Sequence, residues 1–211
     1  VVVPADAAAH MPEGMEFDVA ASVPQTGLTA LGAMDVLDPA PGQVIVVTGA
    51  TGGVGSWFTQ LATLAGASVV ALVRPENADY ARELGAAEVV DHTAPDMVER
   101  LRAAYPAGVD SVADFSGSPE LVAALAAIVR DGGRITSSIG KAREAVPAER
   151  GLTPHAANAV ERSRLPEVLE PLAAGKLKPP QLTIVPLDKA GEALAESRAK
   201  HGVGKTIIRI A

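Results

Sequence analysis

Apolar positions in the middle of the chain fall into short continuous runs, and the segments between them alternate at helical spacing. Val44-Ile45-Val46-Val47 is one such run, and residues 68–73 are another. Residues 88–91, 109–115 and 134–138 supply three further strand-length segments. Between them the pattern predicts helices over residues 57–65, 78–84, 95–105 and 119–129. In the third of these Met97, Val98 and Leu101 share one face. Gly85 and the group Asp131-Gly132-Gly133 stop the helices that precede them. Ahead of this region residues 1–24 look irregular, with one extended segment and a turn at Met11-Pro12-Glu13-Gly14. A helix is expected over 25–37, closed by Asp38-Pro39-Ala40-Pro41-Gly42. After Gly140 the rhythm changes. Residues 141–150 are charged and loop-like or weakly helical, and 151–158 carry a sixth strand. Then come a helix at 165–174 ended by Gly175, a strand at 182–185, a helix at 187–200 and a last strand at 205–210. No internal repeat or low-complexity linker interrupts the series. Repeated β-α units with fully apolar strands imply an α/β fold, a doubly wound parallel sheet with helices on both faces.

The first strand runs straight into Thr48-Gly49-Ala50-Thr51-Gly52-Gly53-Val54-Gly55 and then into a helix. Strand, Gly-rich turn and helix together are the context of a dinucleotide-binding fingerprint. Gly52 lets main-chain N–H groups approach a pyrophosphate, and Gly55 lets the helix pack closely on the strand. The helix N-terminus adds unpaired donors and the positive end of a dipole. Ala50 takes the first Gly position of the strict G-x-G-x-x-G pattern, so the spacing is a variant. The alternative is an ordinary Gly-rich turn that binds nothing.

Composition narrows the partners. The 211 residues carry a formal net charge of -7, with 48% hydrophobic and only 3% aromatic residues, so the core is built from Val, Ile, Leu and Ala. With no basic block, neither nucleic acid nor an anionic membrane surface is expected as partner. No apolar run reaches the length of a membrane span, and no signal peptide is visible. Cys is absent, which removes disulfides and thiolate metal sites and fits an intracellular, cytoplasmic protein. Val1 in place of Met points to a processed or excised piece.

The end of the second strand reads Ala71-Leu72-Val73-Arg74. An NAD site of this type usually has Asp or Glu there, bonded to the ribose hydroxyls. A guanidinium suits a 2′-phosphate instead, so NADP(H) is the expected cofactor. Arg74 can also be read as a solvated loop charge, since Pro75-Glu76-Asn77 follows. Ligands of open α/β sheets sit at the carboxyl ends of the strands. Ser116-Gly117 after the fourth strand and Ser137-Ser138-Ile139-Gly140 after the fifth are placed to contact the nicotinamide half, or serve as turn formers. Ser116 and Ser138 are the candidate contacts. His92 ends the third strand, where it flanks an adenine or is simply solvated. His10, His92, His155 and His201 show no metal-ligand spacing. No nucleophile–base pair is apparent, and no catalytic residue is assigned.

Taken together, these segments resemble the medium-chain dehydrogenase/reductase superfamily, in its zinc-independent quinone-reductase-like branch. The resemblance is carried by Val3-Pro4-Ala5-Asp6, Leu28-Thr29-Ala30-Leu31, Pro41-Gly42-Gln43-Val44 and the Gly-rich turn. It continues in Ala81-Arg82-Glu83-Leu84-Gly85-Ala86, Gly132-Gly133-Arg134, Ala174-Gly175-Lys176-Leu177 and Gly204-Lys205-Thr206-Ile207-Ile208. It implies a Rossmann cofactor domain joined to a GroES-like substrate domain, with hydride reduction of a quinone or activated C=C by NADPH. It also implies dimerisation through the cofactor domains. By position, Thr51, Gly52, Gly53 and Val54 would contact the pyrophosphate, Arg74 the 2′-phosphate and Thr29 the nicotinamide. The family's chains begin well before Val1. The expected layout is therefore a substrate-domain remnant at 1–24, the NADP-binding domain at 25–163 and a C-terminal substrate-domain segment at 164–211. This is either an excised cofactor domain or a natural short form.

Two other readings stay open. The turn also satisfies the T-G-x-x-x-G-x-G spacing of short-chain dehydrogenases. Their Tyr–Lys pair at an offset of four is missing after both Tyr80 and Tyr105, which leaves only an atypical, NmrA-like member. The second is a non-catalytic NADP-binding module that acts as a sensor or dimerising unit.

Overall fold

The computed structural model describes residues 2–5, 8–139, 154–199 and 202–210. A long helix α1 (Phe17–Leu37) leads into β1 (Val44–Thr48), α2 (Gly53–Leu64), β2 (Ser68–Val73), α3 (Ala78–Glu83) and β3 (Glu88–Asp91). Then follow α4 (Met97–Ala104), β4 (Val109–Asp114), α5 (Pro119–Ala126), β5 (Val129–Ser137) and β6 (Pro154–Ala156). The described C-terminal part holds α6 (Pro166–Ala173), β7 (Leu182–Pro186), α7 (Ala190–Ala199) and β8 (Lys205–Arg209). Gly140, the charged stretch 141–150, the start of the 151–158 segment, Lys200 and His201 lie outside the described residues.

Six strands pair in the order β3-β2-β1-β4-β5-β6, each neighbour parallel to the next. The strands alternate their side chains between two cores. Ile45, Val47, Val69, Ala71 and Val73 face a layer built from α1, α2, α3 and α6. Val46, Val70 and Leu72 face Met97 and Leu101 of α4 and Val122 and Leu125 of α5. Both faces are therefore covered, as parallel sheets require. This is the doubly wound Rossmann arrangement read from the apolar runs. Trp57 and Phe58 of α2 are fully buried, which partly compensates for the scarcity of aromatics.

Several boundaries differ from the sequence reading, and three of the differences have a physical reason. Helix α1 begins at Phe17, eight residues before the expected start, and carries Pro24 inside it. Proline normally opens a helix, but here its ring is on an exposed position while Ser22 and Val23 before it and Thr26 and Leu28 after it are buried. Burial of that face outweighs one lost backbone bond. Helix α2 begins at Gly53 rather than Trp57: the Ser56 N–H bonds the Gly52 carbonyl at 2.9 Å and closes a first turn that the low helix propensity of Gly53 and Gly55 hides in the sequence. The third difference lies at Asp131-Gly132-Gly133, which does not separate helix from strand. Strand β5 starts at Val129 and passes through it, with a register shift against β4 between Val109 and Ser111. The two glycines are a bulge within a strand.

Past α6 the chain is tied to the sheet layer by side chains. Gln60 of α2 donates to the Lys178 carbonyl (3.0 Å) and accepts from the Lys178 N–H (2.7 Å). The Gln181 N–H donates to the Tyr80 hydroxyl at 2.8 Å. Strands β7 and β8 then pair with each other, parallel, as a separate two-stranded ribbon. Arg209 of β8 bonds Asp18 of α1.

Candidate cofactor site

The Gly-rich turn sits at the carboxyl end of β1, where the strand order turns back between β1 and β4. A crevice outside the strand ends opens at such a point. The chain leaves β1 through Gly49, whose φ of 63° lies in the left-handed region. The Gly52 N–H closes the turn onto the Gly49 carbonyl at 2.9 Å. A Cβ on Gly55 would lie 2.0 Å from that same carbonyl oxygen, so α2 meets the turn with no room for a side chain. Helix α2 opens on Gly52 with no side-chain cap, and its first turn holds no acidic residue. The first N–H groups of a helix have no partner within it. Here they face the crevice with a positive dipole end and no competing carboxylate. Gly52, Gly53 and Val54 are half-exposed, while Thr51 and Gly55 are buried.

Ser116 and Ser138 are brought to this edge. Both are half-exposed, one after β4 and the other after β5. The Ser116 hydroxyl lies 2.7 Å from where a Cβ on Gly49 would stand, so the loop after β4 closes against the turn. The Ser138 N–H donates to the Asp114 carbonyl at 3.1 Å. Arg74 follows β2, the strand on the other side of β1, and is exposed. It starts the short 3-10 turn Pro75–Asn77, and the Asn77 N–H donates to its carbonyl. His92 follows β3 at the far edge and donates its main-chain N–H to the Val73 carbonyl at 3.3 Å.

Helix α1 reaches the turn through Thr26 rather than Thr29. The Thr26 methyl lies 3.2 Å from a Cβ position on Gly53, and its hydroxyl accepts from Trp57 Nε1 at 3.1 Å while donating to the Ser22 carbonyl at 2.6 Å. Thr29 lies one turn further on, half-exposed, with its hydroxyl donating to the Gln25 carbonyl at 2.8 Å. On the adjoining face of α1 an apolar cavity of about 730 Å³ is lined by Met11, Phe17, Val23, Leu28, Val160 and Leu169, among others.

The C-terminal segment supplies contacts that the sequence pattern did not reveal. The Gly204 N–H donates to the Thr51 carbonyl at 2.7 Å, and Gly52 and Gly204 form a parallel bridge. Lys205 follows with its Cδ 3.6 Å from a Cβ position on Gly53. It is a half-buried cation beside the open end of α2. Thr26, Asp114 and Lys205 did not stand out in the sequence as candidates for this site. Only a Gly-Lys pair opening the last strand hinted at Lys205. Among the described residues no group of three or more His, Asp or Glu side chains converges to hold a metal.

The geometry has counterparts in known proteins. A family model described as zinc-binding dehydrogenase matches residues 53–155. A trans-enoyl reductase, himH, of Aspergillus japonicus is 34% identical over 226 residues, covering 96% of this chain and 65% of that protein. The crystal structure of an NAD-dependent alcohol dehydrogenase superimposes with a TM-score of 0.85 at 29% identity, covering 96% of this chain and 62% of the other. A quinone oxidoreductase from Coxiella burnetii gives a TM-score of 0.86 at 23% identity, with coverage of 96% and 64%. The chain thus spans less than two thirds of the length of each of these three.

Proposed function

This chain belongs to the medium-chain dehydrogenase/reductase superfamily, and on that premise we propose that it binds NADP(H) for hydride transfer to a quinone or an activated C=C bond. The observation that carries the reading is the uncapped N-terminus of α2, set at the sheet's switch point behind a Gly-rich turn that leaves no room for a Cβ at Gly55. The fit is chemical as well as steric. A pyrophosphate needs several donors and close approach to the main chain with no carboxylate beside it, and the glycines at 52 and 53, with no acid in the first turn of α2, suit that.

In this reading the N–H groups of Gly53 and Val54 hold the pyrophosphate, with Gly52 keeping its approach clear of a side chain, Thr51 beneath them and Gly55 setting the depth. Lys205 adds a cation on the same side. Arg74 pairs with the 2′-phosphate through charge-assisted bonds and gives the preference for NADP(H) over NAD(H). Ser116, Ser138 and Thr29 surround the nicotinamide end. The cofactor supplies a hydride, and the protein's part is placement and exclusion of water. The apolar cavity along α1, lined in part by Gln25 and Leu28, suits the body of a hydrophobic acceptor. A homodimer through the cofactor domains is part of the same proposal.

The test is turnover. The chain is mixed with NADPH and, in separate runs, a quinone and an α,β-unsaturated ketone, and nicotinamide absorbance is followed. Loss of absorbance dependent on both protein and acceptor is the expected outcome. Binding of NADPH with no turnover of any acceptor would favour the non-catalytic module.

A further inference from the structure

Between the strand ends that carry Ser116 and Ser138 lies a carboxylate with no exposure to solvent, Asp114. Burial of such a group is costly unless donors meet it. Its Oδ1 accepts from the Thr48 hydroxyl at 2.6 Å and from the Gly117 N–H at 2.7 Å. Its Oδ2 accepts from the Ser137 hydroxyl at 2.7 Å. Each hydroxyl has one proton to give, and both give it to Asp114. Their oxygens then serve only as acceptors. Thr48 Oγ1 takes the N–H groups of Phe115 (3.1 Å) and Ser116 (3.3 Å), and Ser137 Oγ takes the Ile139 N–H at 3.3 Å. The Asp114 carbonyl takes the Ser138 N–H. One side chain thereby sets the direction of hydrogen bonding at the ends of β1, β4 and β5, and with it the path of both loops.

We propose that Asp114 is a positioning residue for the nicotinamide end of the site, acting through Thr48 and Ser137 to hold the loops of Ser116 and Ser138 against the Gly-rich turn. The inference rests on the dinucleotide reading above. A fully met buried network fixes one geometry, and this one lies where the crevice opens. The phosphate donors, by contrast, are the N–H groups at the start of α2 with Arg74 and Lys205, and none of these bonds to Asp114, Thr48 or Ser137. Its loss should therefore be felt by the nicotinamide half and spared by the adenosine half.

The experiment uses Asp114→Asn, which puts an N–H2 where an acceptor oxygen stood and so opposes a hydroxyl already committed to donating. Dissociation constants are measured for NADPH and NADH and for the fragments lacking nicotinamide, 2′-phospho-ADP-ribose and ADP-ribose. Affinity for the intact dinucleotide is expected to fall about tenfold, the scale of one such lost bond. The matching fragment should stay within about twofold of the unchanged chain. If Asp114→Asn lacks the native far-ultraviolet circular dichroism, Ser137→Ala carries the same test, because Thr48 and Gly117 still meet the carboxylate. Thr48→Ser, which keeps the hydroxyl, should retain dinucleotide affinity within about twofold. Equal loss on dinucleotide and fragment, or loss on neither, overturns the positioning role alone. No binding of any of the four ligands by the unchanged chain overturns the dinucleotide reading and this inference with it.

Discussion

At the scale of single residues the cofactor preference comes down to Arg74. It is exposed at the end of β2, level with the turn, so its worth depends on what it meets there. If it meets a 2′-phosphate, Arg74→Ala should weaken NADPH binding by roughly 1–3 kcal/mol and leave NADH nearly unchanged. Calorimetric titration of both cofactors checks this, and equal weakening would return Arg74 to the solvated loop. Arg74 and the glycines stand out as candidates in the sequence because each is beside a strong local signal, a strand end or a turn. Asp114 does not. Its partners Thr48 and Ser137 lie 66 and 23 residues away, and an acid closing a strand pattern has no local mark to set it apart. Thr26 was hidden for a related reason. Thr29, one turn along α1, carried the family resemblance, whereas contact with Gly53 depends on how two helices cross.

Tyr105 gives the residue scale a pH dependence. Burial, reinforced by its hydrogen bond to Glu88 (2.6 Å), pushes its phenol up to about 12 from an ordinary 10.0. A group whose folded value is raised favours the folded state while it is protonated. The contribution is complete below the unfolded value of about 10 and is lost as pH rises through about 12. Chemical denaturation of the native chain and of Tyr105→Phe should therefore show the native chain more stable at neutral pH. The gap should close across that alkaline window. A constant difference through the window would place the effect elsewhere.

Elements are where the sequence was read best and also where it failed. Strands β2 and β3 were legible to the residue, because a buried parallel strand leaves an unbroken apolar run between turn residues. The ends of α1, α2 and β5 were not, because Pro24, Gly53 and Gly133 carry local preferences that burial and sheet pairing override. Nothing local shows how the C-terminal part attaches. Gln60 holds both main-chain groups of Lys178, and this segment leads to β7 and to the contact of Gly204 with the turn. Gln60→Ala strands a donor and an acceptor, and the expected loss is about 1–3 kcal/mol in denaturant unfolding. The Lys178 amide should also exchange its hydrogen faster than in the native chain. Unchanged exchange would mean that another contact, such as Tyr80 with Gln181, holds the segment by itself.

On the scale of the whole molecule, two cores on either side of a six-stranded sheet place every βα turn on one edge. That edge is where an uncapped helix, an exposed guanidinium and two half-exposed serines meet. Fold class could be read from the order of β-α units, and the family from the resemblance carried by the matching segments in their order. The C-terminal contribution of Lys205 could not, because a residue near the end of the chain reaches α2 only once the ribbon of β7 and β8 has docked. The most direct test of the cradle and its cation is calorimetric titration of the unaltered chain with NADPH and, separately, NADH. Saturable heat with both, at a lower dissociation constant for NADPH, is expected. Heat with neither, or tighter binding of NADH, would contradict the account.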